Sequence, residues 1–230
     1  MKEKHLIKTE SRETMGKKIK EFIMKNLRAL LISLSVFSLI IIVHQLLNDQ
    51  IQIFDEKVYE LFRPIISDHA TFLFRLVTAT GGAIFLVTLT ILFILLRKDR
   101  TTCIAIPMNL IFVTVLNILI KHLVARPRPT GINLIQETGY SFPSGHAMVN
   151  TAFYGFLIYL IYRNEPNKRK RNLLCGFFAL LIFGICSSRI YLGVHYASDV
   201  LAGIGISLTY LCIFTKVYKE IREKKSKEES

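Results

Sequence analysis

Residues 101–129 read TTCIAIPMNLIFVTVLNILIKHLVARPRP: an uncharged run from Thr101 to Ile120, then Lys121, then the repeat Arg126-Pro127-Arg128-Pro129. About 20 mostly apolar residues suffice to carry an α-helix across a bilayer. The run from Thr101 to Ile120 therefore reads as a crossing that ends in cations, and the rest of the chain repeats this grammar. Its 230 residues are 51% hydrophobic yet carry a formal net charge of +13, with mean hydropathy +0.40. Charged and apolar residues must then be segregated along the chain, as in a membrane protein.

Six apolar runs are candidate spans: Ala29 to Leu47, Leu76 to Leu96, Thr101 to Ile120, Ser144 to Tyr162, Asn172 to Ser188 and His195 to Thr215. The expected fold class is all-α, a polytopic membrane protein with six transmembrane helices. Three parts are expected: a polar basic lead at 1–25, a six-helix domain at 26–218 and a charged tail at 219–230. The first run lies behind a long basic lead and lacks a small-residue cleavage site, so it reads as a retained helix. Between the first two runs, Ile51, Phe54, Val58, Leu61, Phe62 and Ile65 recur at helical spacing with Asp55, Glu56 and Glu60 among them. That pattern predicts an amphipathic helix lying on the membrane interface. Gly81-Gly82 inside the second run predicts a bend or a close helix contact.

Charge sets the expected topology. With both termini in the cytoplasm, 23 of the 30 Lys and Arg residues fall on one side, which is then the inside. Runs such as Lys168-Arg169-Lys170-Arg171 read as topology determinants touching anionic lipid rather than as nucleic-acid contacts. Arg126, a second cation beside Arg128, could contact a second phosphate but is read first as a lipid headgroup contact. The four cysteines, Cys103, Cys175, Cys186 and Cys212, lie within spans without ligand-type spacing and read as packing residues. No metal or other cofactor is expected.

The few cations left on the outer side include Lys121, Arg128 and Arg189, and each belongs to a block of unusual composition. Pro143-Ser144-Gly145-His146 opens a helix, where free backbone N–H groups and the positive dipole end favour an anion such as phosphate. His195 and Asp199 stand four residues apart, so the carboxylate can orient one imidazole nitrogen and leave the other as a lone pair. Three cations, two imidazoles and one carboxylate suit phosphate-ester cleavage: His195 as nucleophile, His146 as acid, and the cations around the phosphoryl oxygens. Alone, each block has a bland reading: a helix cap, a buried polar pair or a basic loop. With six spans all three meet on one face of the membrane, the outer one.

The pattern Lys121-x6-Arg128-Pro129, Pro143-Ser144-Gly145-His146, Ser188-Arg189-x5-His195-x3-Asp199 resembles the three-part signature of the type 2 phosphatidic acid phosphatase superfamily, which also holds vanadium haloperoxidases. In length and layout the chain is similar to the bacterial membrane branch, with its phosphatidylglycerophosphatase B and undecaprenyl-diphosphate phosphatases. The resemblance implies that Lys121, Arg128, Ser144, Gly145 and Arg189 bind phosphate, with His146 as acid, His195 as nucleophile and Asp199 as its orienting partner. It further implies a lipid phosphate or diphosphate substrate, a bacterial plasma-membrane location and an active site on the extracytoplasmic face. A lipid phosphotransferase, a haloperoxidase and a non-catalytic lipid carrier remain as alternatives, and oligomeric state is left open.

Overall fold

The computed structural model describes residues 26–96, 99–131 and 133–228. The polar lead at 1–25 lies outside the described residues. Those described form helices joined by short connections, except for the long loop between Val124 and Gly145, without β-strand. In chain order the helices are α1 (Asn26–Leu47), α2 (Gln52–Phe62), α3 (Asp68–Ala79), α4 (Ala83–Leu96), α5 (Arg100–Val124), α6 (Gly145–Asn164), α7 (Lys168–Tyr191) and α8 (Ala197–Glu228).

Four of these, α1, α5, α7 and α8, are long and apolar enough to cross a membrane, and the bent pair α3 and α4 raises the number to five. The count of six is therefore not reached by length and apolarity alone. The missing helix is α6, the expected fourth span. Its 20 residues rise about 30 Å, the thickness of a hydrocarbon core, but it is packed on α5, α7 and α8. Surrounded by protein, α6 can carry Asn150 and Thr151 in buried positions, and these lower its hydropathy. The opposite case is α1, where only 6% of the apolar window is buried.

The expected second span is two helices bent by 44°, and it begins earlier than the apolar run, at Asp68 with Ser67 as N-cap. The break falls at Thr80–Gly82. A Cβ on Gly81 would lie 2.6 Å from Asn150 Nδ2, and that amide donates to the Gly81 carbonyl at 3.0 Å. Glycine is thus required where α6 presses on the bend, as the Gly81-Gly82 pair foretold. At the other end of the chain, α8 continues as helix through the basic tail to Glu228.

The amphipathic α2 forms where expected, but its faces differ from the expectation. Asp55 is 4% exposed while Ile53 and Leu61 are 65% and 74% exposed. The inward face carries Val58, Tyr59 and Phe62 against the α6–α8 core, with Asp55 among them. A carboxylate is tolerated there only if it is paired, and its partner lies in the functional site. None of the four cysteines, all among the described residues, forms a disulfide.

Candidate active site

The C-terminal ends of α5 and α7 and the N-terminal ends of α6 and α8 lie at one end of the bundle. Ser144 caps α6, its hydroxyl facing the Ala147 amide at 3.5 Å, and its own N–H donates to the Asp199 carbonyl at 3.0 Å. One residue thus ties the start of α6 to the start of α8. A Cβ on Gly145 would meet Asn117 Oδ1 at 3.1 Å, and one on Gly203 would meet the Ser144 carbonyl at 3.0 Å. Both glycines let helices approach, so Gly145 serves the α5–α6 contact as well as any ligand. By helix geometry the Gly145 and His146 amides lack an acceptor one turn earlier. Ser144 is fully buried.

His195 sits in the turn between α7 and α8, just before the helix, and is 4% exposed. Its Nε2 lies 3.2 Å from Arg128 Nη1. A guanidinium can only donate, so Nε2 is the acceptor and carries the lone pair, while the proton resides on Nδ1. Nδ1 faces Asp199 Oδ2 at 3.5 Å, which is an electrostatic contact rather than a hydrogen bond. Burial, reinforced by Arg189 and Arg128 and opposed by Asp199, pushes the His195 pKa down to about 4. The imidazole is therefore neutral at neutral pH, as a nucleophile requires.

The three expected cations converge on the same end. Arg128 is held by the carbonyls of Gly139 at 3.0 Å, Thr138 at 2.8 Å and Val194 at 2.9 Å. Arg189, 1% exposed, donates to Thr78 Oγ1 at 2.9 Å and pairs with Glu137. Its Nε has no acceptor among the described residues. Lys121 Nζ donates to the Tyr140 carbonyl and lies in the field of Arg128, Arg189, Glu137 and Asp199. His146 shares that field, interacting with Arg189, Glu137, His195 and Arg128. Every residue singled out in the three sequence blocks is thus placed at one end of the bundle.

Two features escaped the sequence reading. Glu137 pairs with Arg189 and stands 3.8 Å from Arg128. Burial opposes its ionisation, but the Arg189 hydrogen bond and surrounding cations win, and its pKa lies below the ordinary carboxylate value. Nothing in the spacing of a polar loop marks such a residue. The second is Arg126, which is no lipid contact. It is 8% exposed and reaches Asp199 Oδ1 at 2.6 Å, Asp55 Oδ2 at 2.8 Å and Ser198 Oγ at 2.8 Å. The guanidinium carbon also stands 3.9 Å above the Tyr196 ring. The buried Asp55 of α2 thus finds its partner here. A cavity of about 690 Å³ opens beside these groups, bordered by Asp55, Arg126, His195 and Tyr196 on one side and by Leu46 and Leu47 of α1 on another.

The PAP2 superfamily model matches residues 101–223. Phosphatidylglycerophosphatase B of Bacillus subtilis (strain 168) is 34% identical over 134 residues, 54% of this chain and 64% of that protein. Dolichyldiphosphatase of Saccharomyces cerevisiae is 31% identical over 128 residues, 50% of each chain. The matched part of this chain thus covers less than two thirds of these curated relatives. Among solved structures, the transmembrane PAP2 type phosphatidylglycerolphosphate phosphatase from Bacillus subtilis superposes with a TM-score of 0.75 at 24% identity, covering 83% of this chain and 96% of that one.

Proposed function

This chain belongs to the PAP2 superfamily, and from that premise we propose that it is a membrane phosphatase that hydrolyses the terminal phosphate of a lipid phosphate or diphosphate. The observation that carries the reading is the placement of His195: Nε2 beside Arg128 at 3.2 Å, which leaves it the acceptor, with Nδ1 toward Asp199. His195 Nε2 attacks phosphorus and the bond to the leaving oxygen breaks, that oxygen taking a proton from His146. His146 then takes a proton from water, whose oxygen attacks the phosphohistidine and frees His195. Lys121, Arg128 and Arg189, with the first amides of α6 at Ser144-Gly145-His146, stabilise the phosphoryl oxygens in transit. The step involves no metal, because the cations and helix dipole supply the positive charge.

The basic loops support a multi-pass arrangement with six crossings and both termini in the cytoplasm of a bacterial plasma membrane. The site then faces outward. An outward site favours a lipid diphosphate released on that side, so undecaprenyl diphosphate ranks ahead of phosphatidylglycerol phosphate and phosphatidate. Relatives named for a dolichyl diphosphate and for phosphatidylglycerophosphate accord with this range. The test is phosphate release from the three lipids, with EDTA present, by the detergent-solubilised protein and its His195→Ala variant. Release by the wild type alone supports the proposal. A wild type that is folded yet inert, or an active His195→Ala variant, overturns it.

A further inference from the structure

A second charged layer lies behind His195. The Arg126 guanidinium is shared between two buried carboxylates, Asp199 Oδ1 at 2.6 Å and Asp55 Oδ2 at 2.8 Å. Asp55 also accepts from Ser198, its Oδ1 from the amide at 2.8 Å and its Oδ2 from the hydroxyl at 2.8 Å. Asp199 Oδ2 accepts the Tyr196 amide at 3.0 Å, in the turn that carries His195. The geometry points to Asp55 and Arg126 as positioning residues for the reaction: α2 clamps Arg126, Arg126 divides its charge between Asp55 and Asp199, and the share left on Asp199 sets the orientation and basicity of His195. This inference rests on the proposed phosphatase function. It concerns the carboxylate of a helix outside the three sequence blocks, and an arginine two residues away from the one that faces phosphate.

The physical argument is a competition for one cation. A guanidinium bound to two carboxylates neutralises each only in part, so Asp199 keeps charge to direct at His195 Nδ1. Removing the charge of Asp55 leaves Arg126 to Asp199 alone and weakens its pull on the imidazole. Removing the charge of Arg126 concentrates the Asp199 charge on the imidazole. The remaining groups acting on His195 are unchanged by either substitution: Arg128 from the 126–143 loop, Arg189 from α7 and His146 from α6, with Glu137 and Lys121 acting on those groups in turn. The two substitutions therefore move the nucleophile in opposite directions, which general damage to the fold does not do.

The experiment measures kcat, KM and the acid limb of the pH profile for wild type, Asp55→Asn, Arg126→Gln and Arg126→Lys, with the melting temperature of each in detergent as a folding control. His195 must be neutral to attack, so the limb follows its pKa. Asp55→Asn is expected to lower kcat roughly 10-fold to 100-fold at nearly constant KM, as for partners one step behind a reacting group, and to shift the limb to lower pH by about one unit. Arg126→Gln is expected to shift it to higher pH, and Arg126→Lys to return it toward wild type. Substrate ionisation is common to all four proteins and cancels in the comparison. Limbs that stay fixed, or move together, overturn the inference while leaving the phosphatase reading intact. If Arg126→Gln does not fold, Asp55→Asn decides alone: a lower limb supports, an unchanged or higher one overturns. No phosphate release from folded wild type removes the proposed function, and this inference with it.

Discussion

The two sides of His195 are built differently. On the α2 side the buried charges are paired with one another: Arg126 lies between Asp55 and Asp199, all three at most 8% exposed. On the α6 side cations outnumber anions: Arg128, Arg189 and Lys121 stand around one carboxylate, Glu137, and the Arg189 Nε has no acceptor among the described residues. On the first side the buried charges are balanced within the protein, although a cavity opens beside them. The second has positive charge in excess and suits a multivalent anion. A single four-residue stretch, Arg126-Pro127-Arg128-Pro129, contributes one arginine to each side.

The largest effect is expected at the boundary itself. His195→Ala removes the nucleophile, and loss of a covalent catalyst costs on the order of 10⁶ in kcat; phosphate release and phosphoenzyme labelling measure it. On the α6 side, Arg128→Ala or Arg189→Ala is expected to reduce kcat/KM by about 10²–10³, the value of one preorganised donor to a developing charge. An unchanged kcat/KM in both would erase the functional meaning of the charge excess. On the α2 side, Arg126→Ala leaves two carboxylates buried without their cation, and the melting temperature is expected to record a destabilisation of about 3–5 kcal/mol. A thermally unaffected variant would show that the pairing is not structural.

Smaller effects sharpen the same contrast. Glu137→Gln removes the one anion of the α6 side, and inorganic phosphate is expected to inhibit roughly five-fold more tightly, the value of one screened charge at contact distance. Weaker inhibition would mean that Glu137 organises the cations rather than competing with phosphate for them. The acid limb set by His195 is expected near pH 4, well below the ordinary imidazole value of 6.5. The sign follows from burial: the group is neutral above its lowered pKa, so the nucleophile is lost as pH falls through that value. A limb at 6.5 in the wild type would mean that the imidazole is solvated during turnover.

Much of this was legible beforehand, for identifiable reasons. The amphipathic helix α2, the kink at Gly81-Gly82 and the long apolar helices follow from periodicity and hydropathy, which act locally. The site blocks were legible because Lys121, Arg128, His146, Arg189, His195 and Asp199 are residue types that are costly beside a membrane unless they have a task. Hydropathy found α6 but scores it below the other long helices, and it misread the inward face of α2. In both, neighbouring helices replace lipid or water, so polarity ceases to report position. The burial of Asp55 and the role of Arg126 depend on each other across 71 residues, and neither can be read from its own surroundings in the chain.

The sequence by itself pointed to helices in a membrane, to a set of candidate site residues that the fold then gathers at one end, and to the family to which the chain belongs. These follow from composition and from the order and spacing of side chains, which any folded form retains. Only the tertiary structure decided which helix is sheathed by protein, which nitrogen of His195 turns toward Arg128 and which toward Asp199, and that Arg126 is shared by two buried carboxylates. Such choices depend on distances of a few ångströms between helix ends far apart in the chain. Packing sets those distances, and the cost of burying an unpaired charge selects among them.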